Sequence, residues 1–294
     1  MAKSLIEQWF PAATVGAESL RDGSAAKKPP TSRLHVWWAR RPLTASRATV
    51  VASLLPAWPS DDEVARDPEA KRIRDALERE FPGGEQAYHA WFVRSLGIKG
   101  DPVEARRRIK EANEQGIKLE GNGYGYDRAF TVTPDDDTVE RLRRLAALRS
   151  GRAGRPVLLD PFSGGGSIPF EAARFGCDTI ANELNPVAVA ILNGTVTLPA
   201  QLGPDFVKIL ERWGRRWAER VRRRLSQYFP KEPKDQSIVA YIWAHTVPCP
   251  TTGLPTPLSP NYWLARGKAG RNIAVALEPD RRTGRIRTSI VEGW

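Results

Sequence analysis

The segment at residues 156–193, PVLLDPFSGGGSIPFEAARFGCDTIANELNPVAVAILN, constrains the fold more than any other part of the chain. It opens with a short apolar run, Val157–Leu159, which is typical of a buried parallel strand. Three consecutive glycines follow, and glycine accepts positive φ angles and lets a ligand approach the backbone. From Ser167 the apolar spacing becomes helical, and Gly176 is placed to end that helix. A second apolar run, Thr179–Ala181, completes a predicted βαβ unit.

The acids around the glycines indicate which nucleotide such a unit would bind. The second predicted strand ends at Asn182-Glu183, about 20 residues beyond the glycine turn, where an acid can hold a ribose hydroxyl pair. The turn itself begins with Asp160, and a carboxylate there would repel a pyrophosphate. An adenosyl group on a cationic sulfonium has no phosphate, so we predict an S-adenosyl-L-methionine site. The alternatives are a dinucleotide-binding domain and a Rossmann-like domain without a ligand.

Composition indicates the cellular compartment and the kind of partner that the protein would bind. The formal net charge of +11 favours a polyanionic partner such as nucleic acid, although a basic surface can also simply be solvated. Two cysteines, Cys177 and Cys249, argue against a disulfide scaffold and favour a reducing cytoplasm. We expect Cys177 to lie in the core beside the second strand. No apolar run is long enough to cross a membrane and the N-terminus lacks a signal-peptide core, so we predict a cytoplasmic protein without membrane association.

Other segments show helical or strand patterns. Helices are predicted over residues 44–55 and 138–148, and a basic helix over residues 205–228. A strand is predicted over Val239–Val247. Two further strands, Ile273–Leu277 and Ile286–Val291, are expected to pair in a hairpin.

The basic helix alternates arginines with tryptophans. We expect Trp213 and Trp217 to face the protein and the arginines to contact the phosphates of DNA. The alternative is a solvated arginine face. The arginines assigned to nucleic acid are Arg215, Arg216, Arg222 and Arg223.

Three segments, in this order, resemble one family: MAKSLIEQWFPAATVGAES, HVWWARRPLTASRATV and LLDPFSGGGSIPFEAARFGC...NELNPVA. Together they resemble the N-terminal part of the large adenine-specific DNA methylases that begin with a domain of unknown function and carry a zinc ribbon. The resemblance covers residues 1–60 and roughly 155–294. It implies a class I S-adenosylmethionine-dependent methyltransferase fold and N6 methylation of adenine in double-stranded DNA. It also implies a restriction-modification or anti-phage defence system, with other defence-system subunits as partners.

With this resemblance, the predicted fold class is α/β. It comprises an incomplete Rossmann-like class I methyltransferase core, a helical insertion and a small C-terminal β-rich segment. Residues 1–60 should pack on the core, residues 61–130 should form the insertion, and residues 131–200 the cofactor-binding βαβ core. Residues 201–294 should hold the basic helix and a degenerate zinc-ribbon-like β segment.

The predicted cofactor site combines the glycine loop with the end of the second strand. Its members are Asp160, Pro161, Phe162, Gly164, Gly165, Gly166, Glu183, Leu184 and Arg41. We expect Asp160 beside the methionine amino group, unless it caps the following helix instead. Glu183 should hold the ribose hydroxyls, and Leu184 should contact the adenine.

The segment at residues 35–47, HVWWARRPLTASR, is predicted to cover the methionine end of the cofactor. Thr44 or Ser46 is expected to cap the helix that follows, which places a helix N-terminus near the cofactor carboxylate. Arg41 precedes that helix, and the two adjacent tryptophans are expected to wall the site. In the alternative, the tryptophans pack in the core and the arginines meet DNA phosphates.

The chain departs from the family pattern at a metal knuckle. Family members carry Cys-Pro-x-Cys-Gly near Cys249–Gly253, where this chain has Thr252 in place of the second cysteine. Zinc takes about four Cys or His ligands, and the distant His245 is the other candidate here. We therefore predict no metal site.

A second departure concerns catalysis. Methylation of an exocyclic amine requires an Asn/Asp-Pro-Pro-aromatic loop that accepts the amine's hydrogen bonds and stacks on the flipped base. The only Pro-Pro pair lies in Lys28-Pro29-Pro30-Thr31, without acid or aromatic. We therefore predict no catalytic residue in this chain and a catalytic loop in a downstream or separate segment, so that this chain alone is inactive. The alternatives are a non-catalytic nucleic-acid-binding subunit and a nicotinamide oxidoreductase; the acid in the loop and the lack of Gly-x-Gly-x-x-Gly disfavour the latter.

Overall fold

The computed structural model describes residues 2–23, 29, 31–119, 121–229, 241–267, 272–280 and 282–293. The chain divides into two units, Met1–Gly214 and Arg215–Trp294. The first unit contains helices and a two-stranded parallel sheet, and the second unit contains antiparallel strands. The described residues therefore form a mixed α and β protein with small sheets.

Helices occupy most of the chain before position 150. Their bounds are α1 Leu5–Gln8, α2 Ala12–Ser19, α3 Thr31–Leu34, α4 Leu43–Leu54, α5 Asp61–Arg66, α6 Pro68–Glu80, α7 Gly84–Ser95, α8 Pro102–Glu114 and α9 Asp136–Ser150. Asp67 and Asp101 each cap a helix that begins with proline, because their side chains accept the free N–H groups of the first turn. Gly151, with φ of 69°, ends α9 in the left-handed conformation. The helices predicted over 44–55 and 138–148 are confirmed by α4 and α9.

One hydrophobic core joins the N-terminal segment to the helices of residues 61–130. Leu5 of α1, Val51 of α4, Leu77 of α6, Phe92 of α7 and Leu142 of α9 are all fully buried in it. Burial of each such side chain contributes about 1.5–3 kcal/mol. The buried apolar residues of α6 and α7 therefore belong to the same core as the N-terminal segment.

A βαβ unit follows this helical core. Its elements are β1 Val157–Asp160, α10 Ser167–Arg174 and β2 Asp178–Ala181. The strands are parallel, with Leu159 opposite Ile180, and Gly176 has φ of 75° just after α10. The predicted order of strand, glycine loop, helix and strand is confirmed.

The two faces of this small sheet lie in different environments. Leu158 packs against a buried cluster on α4 and α10 that includes Cys177, as expected for this cysteine. The opposite face carries Val157, Leu159 and Ile180, which are 64%, 63% and 56% exposed. The prediction of a buried strand is therefore wrong for this face, because α4 and α10 cover only the other one.

In the described part of the chain, three α-helices follow β2: α11 Pro186–Leu192, α12 Leu198–Leu202 and α13 Phe206–Leu225. Asn185 caps α11 by accepting the N–H of Val187, and Pro186 occupies the first turn. On α13, Trp213 is 57% and Trp217 is 70% exposed, so the expectation that they face the protein is wrong. Within the described ranges, no helix has both the length and the apolar character that a membrane crossing requires.

The second unit contains two antiparallel sheets. The strands are β3 His245–Pro248, β4 Pro255–Leu258, β5 Trp263–Arg266, β6 Asn272–Asp280 and β7 Arg285–Glu292. β3 pairs with β4, and β6 lies between β5 and β7. β6 and β7 confirm the predicted hairpin, whereas the strand predicted over 239–247 begins only at His245 among the described residues; residues 239–240 lie outside them.

Candidate functional site

The glycine loop between β1 and α10 is a tight turn. The N–H of Gly166 donates to the carbonyl of Ser163 at 2.8 Å, and the Ser163 hydroxyl donates to the carbonyl of Asp160 at 2.9 Å. Gly164 and Gly166 have φ of 51° and 80°, in the left-handed region that favours glycine. A Cβ on Gly164 would lie 2.8 Å from Nε1 of Trp37. The loop therefore requires glycine both for its backbone and for its contact with Trp37.

The carboxylate of Glu183 ties the end of β2 to this loop. One oxygen accepts the N–H of Gly164 at 2.7 Å, and the other accepts those of Leu184 and Asn185 at 2.9 and 3.1 Å. These hydrogen bonds, with that of Asn185 the strongest influence, lower the pKa of Glu183 below its usual value. A carboxylate has about four acceptor positions, so about one remains for a ligand.

Apolar side chains flank this polar contact. Phe162 is 88% exposed and Leu184 is 96% exposed. Asp160, in contrast, is buried, and its carboxylate accepts the N–H of Phe162 at 3.3 Å. The alternative that Asp160 caps α10 is wrong, because Gly166 occupies that position.

A cavity of about 310 Å³ adjoins the glycine loop. Gly165 and Ser167 line it together with Trp37, Arg41 and Asp22 of the N-terminal segment. The hydroxyl of Ser167 donates to the backbone carbonyl of Arg41 at 3.1 Å. The structure thus brings Arg41 to the N-terminus of α10, beside the glycine loop.

The two adjacent tryptophans of this segment have different environments. Trp37 is buried and packs against Ala188 and Ile191 of α11 as well as the glycine loop. Trp38 is 83% exposed, and the centroids of the two rings are 6.0 Å apart. Of the two tryptophans, Trp37 therefore both lines the cavity and packs internally. The two side chains thus neither wall the site together nor both pack in the core.

Asp22 is a cavity residue that the sequence does not single out. It is 6% exposed and accepts the N–H and the hydroxyl of Thr44 at 3.1 and 3.2 Å. The prediction that Thr44 or Ser46 caps α4 is wrong, because both lie within that helix and Asp22 binds its first turn. Burial raises the pKa of Asp22 to about 6; the bonds from Thr44 oppose this shift, and the nearby carboxylate of Glu18 adds to it.

A buried ion pair fixes α10, which carries the loop at its N-terminus. Nε of Arg47 lies 2.6 Å from Oε2 of Glu171, and both side chains are 0% exposed. Nη1 of Arg47 donates to the carbonyls of Leu96 and Ala129, each at 2.9 Å. The other oxygen of Glu171 accepts from Arg174 at 3.0 Å. The position of the glycine loop therefore depends on α4 and on the loops that follow α7 and α8.

The arginines assigned to nucleic acid lie on α13. Arg215 and Arg222 are seven positions apart, as are Arg216 and Arg223, so two helical turns bring each pair to the same side. All four side chains are exposed. The structure therefore presents them together on one solvent-facing surface of the helix.

The Cys249 turn joins β3 to β4. The N–H of Gly253 donates to the carbonyl of Cys249, and the N–H of Cys249 donates to that of Leu254, both at 2.8 Å. Hydrogen bonds from Thr252 and Thr251 lower the pKa of the Cys249 thiol below its usual value. In the part of the chain that the structure describes, no three His, Cys, Asp or Glu side chains are grouped to hold a metal ion.

Comparison with known proteins finds a match in the N-terminal region. A family model described as a protein of unknown function (DUF1156) matches residues 9–80, which include α2 to α6. No curated protein and no solved structure matches the chain. The matched region contains Asp22 and Arg41 but neither the glycine loop nor Glu183, and its description assigns no activity.

Proposed function

We propose that this chain binds S-adenosylmethionine and forms the cofactor-binding portion of an adenine-N6 DNA methyltransferase. The hydrogen bond from Gly164 to Glu183 carries the proposal, because it joins the acid at the end of β2 to the glycine loop. The cofactor supplies an electrophilic methyl group. The residues of this chain would bind and orient the cofactor.

The surroundings of Glu183 suit a ribose better than a phosphate. Its carboxylate retains about one acceptor position for a ribose hydroxyl, and a second such bond requires release of one backbone N–H. A pyrophosphate would instead need the free N–H groups of the loop, and that of Gly164 is already bonded to a carboxylate. This arrangement favours a phosphate-free adenosyl ligand over a dinucleotide.

The remaining contacts fit the other parts of the cofactor. Phe162 and Leu184 expose apolar surface beside Glu183, which suits an adenine ring. Arg41 lies across the glycine loop in the adjoining cavity, where it suits the cofactor carboxylate. The ligand in this proposal thus extends from Glu183 over the loop towards Arg41.

Double-stranded DNA is the proposed macromolecular partner. The net charge of +11 and the exposed arginine surface of α13 suit a phosphate backbone. We assign Arg215, Arg216, Arg222 and Arg223 to phosphate contacts.

We assign the amine-accepting loop to a further segment or a separate chain, because the sequence lacks an Asn/Asp-Pro-Pro-aromatic motif. A cytoplasmic restriction or anti-phage defence system is the proposed setting. The second candidate is a non-catalytic nucleic-acid-binding subunit, which the same missing motif favours.

Calorimetric titration of the purified chain tests cofactor binding. S-adenosylmethionine should bind, and Glu183→Ala should lower its affinity by about tenfold or more, because hydrogen bonds to a charged acceptor are lost. Glu140→Ala, which removes an exposed acid on α9, is the matched control and should bind normally. Binding of NADH in place of S-adenosylmethionine would contradict the proposal.

DNA binding and methyl transfer are tested separately. Arg222→Ala with Arg223→Ala should weaken binding to duplex DNA and reduce the salt slope by about one unit per lost phosphate contact, whereas Arg143→Ala on α9 should not. In a tritiated-methyl assay, the chain alone should transfer nothing, and a segment carrying the missing loop should restore transfer. Turnover by the chain alone would refute the assignment of the loop elsewhere. DNA binding without restored transfer would favour the non-catalytic subunit.

A further inference from the structure

The cavity beside the glycine loop contains charged groups of both signs. Asp22 and Arg41 line it, and the hydrogen bonds to Asp22 come from the neutral groups of Thr44. Among the described residues, neither Asp22 nor Arg41 takes part in an ion pair. A carboxylate as buried as Asp22 is costly without a cation, so an arriving ammonium group would be attracted to it.

A second polar group in this cavity lacks a partner. Among the described residues, the buried hydroxyl of Ser19 has no hydrogen-bond partner, and Ser19 is one of the residues that line the same cavity. An unsatisfied buried hydroxyl is unfavourable, and a polar ligand group would satisfy it. The cavity therefore offers an acid, a hydroxyl and a guanidinium group.

The size of the cavity limits what can occupy it. Its volume of about 310 Å³ lies at the lower end of the range for ligand pockets, about 300–1,000 Å³. That volume is sufficient for the amino-acid end of a small molecule. Gly165 and Ser167, which line this cavity, belong to or follow the loop whose Gly164 N–H binds Glu183.

We infer that this cavity binds an α-amino-acid zwitterion, with Arg41 pairing with the carboxylate. The ammonium group pairs with Asp22, which lines the cavity, in place of the Asp160 expected from the sequence, which is not among the lining residues. The inference rests on the proposed function, since the zwitterion is then the methionine end of S-adenosylmethionine. Asp22 acts as a specificity-determining residue that separates ligands with an amino-acid end from those without one.

The charge of Asp22 makes this recognition dependent on pH. Its pKa of about 6 means that acidification below pH 6 neutralises the carboxyl group and removes its attraction for an ammonium. The charged groups that face it are Glu18 of α2, Arg47 of α4, and Arg40 and Arg41 of the segment before α4. Glu18 is paired with Arg21 at 2.9 Å.

Two adenosine ligands and matched variants of the full chain test the inference. S-adenosylhomocysteine has the amino-acid end, and 5′-methylthioadenosine lacks it. Asp22→Asn keeps an oxygen for Thr44 and removes the charge. It should therefore weaken the binding of S-adenosylhomocysteine by about tenfold to a hundredfold and leave the affinity for methylthioadenosine unchanged. Arg41→Gln should show the same selectivity. Asp62→Asn and Arg33→Gln, which alter residues outside this cavity, should change neither affinity.

The pH profile distinguishes pairing from a structural effect. The preference of the wild-type chain for S-adenosylhomocysteine over methylthioadenosine should fall by about tenfold between pH 7 and pH 5, and that of Asp22→Asn should stay constant. Equal weakening of both ligands by Asp22→Asn, or no weakening, would overturn the inference. Binding of neither ligand to the wild-type chain would refute the proposed function itself, and the inference with it.

Discussion

Replacing Arg47 with methionine tests how the site is held in place. Methionine keeps much of the aliphatic volume and removes the guanidinium group. Glu171 then loses its partner at 2.6 Å and retains Arg174 at 3.0 Å. The carbonyls of Leu96 and Ala129 each lose the bond from Arg47, although that of Ala129 still accepts the N–H of Val132 at 3.0 Å. The variant therefore leaves a fully buried carboxylate with half of its pairing.

The expected loss follows from that burial. Breaking a buried ion pair by removing one partner costs about 3–5 kcal/mol, since the other charge stays desolvated. The lost bond to the carbonyl of Leu96 raises the cost, and the remaining bond from Arg174 reduces it. We therefore expect a loss of about 3–5 kcal/mol in the free energy of unfolding. The double variant Arg47→Met with Glu171→Met should recover about 1–2 kcal/mol of this, because no buried carboxylate then remains.

Urea unfolding followed by far-ultraviolet circular dichroism measures these differences, provided that the slope with denaturant is unchanged. Arg107→Met is the matched control: Arg107 also lies 2.6 Å from its partner, Glu104, but both are exposed, so its midpoint should not move. A midpoint for Arg47→Met equal to that of the control would refute the argument. A double variant less stable than Arg47→Met alone would show that the unpaired carboxylate is not the cause.

The other predictions concern the loop, the thiols and the buried acid. Gly164→Ala should abolish tight cofactor binding in a titration, because its φ of 51° and its close neighbour exclude a side chain, whereas Gly214→Ala, with open space around it on α13, should not. A thiol reagent at pH 8 should label Cys249, whose pKa is lowered, and spare Cys177 until unfolding, since burial raises its pKa to about 11. The folded-state pKa of Asp22, about 6, exceeds the unfolded value of about 3.9, so the wild-type chain should lose stability relative to Asp22→Asn as the pH rises from 4 to 6. Thermal melts measure this difference, and equal pH dependence of the two chains would contradict the raised pKa.

Local patterns in the sequence were sufficient to predict the βαβ unit. Gly164, Gly166 and Gly176 all adopt the positive φ angles that made glycine informative at those positions. The contact between Glu183 and the loop follows as well, since parallel strands place their carboxyl ends at one edge. These features depend on neighbours close in sequence, where spacing is a direct signal.

Long-range pairs left no such signal. Arg47 and Glu171 are 124 positions apart, and Asp22 caps a helix that begins about 20 residues later. Each appears in the sequence as an ordinary charged residue within a helical or polar segment. The exposure of Trp217 was also misjudged, because periodicity shows that a helix has an apolar side without showing what covers it.

The uncovered face of the small sheet has a consequence for the behaviour of the chain in solution. β1 and β2 are both edge strands, and Val157, Leu159 and Ile180 give them an apolar surface, a combination that promotes self-association. The net charge of +11 keeps molecules apart at low ionic strength. Added salt screens that repulsion but leaves the apolar attraction, while the same screening weakens contacts with phosphates. We therefore expect solubility, and the proposed binding of nucleic acid, to be greatest in dilute salt, and concentrated salt to favour self-association.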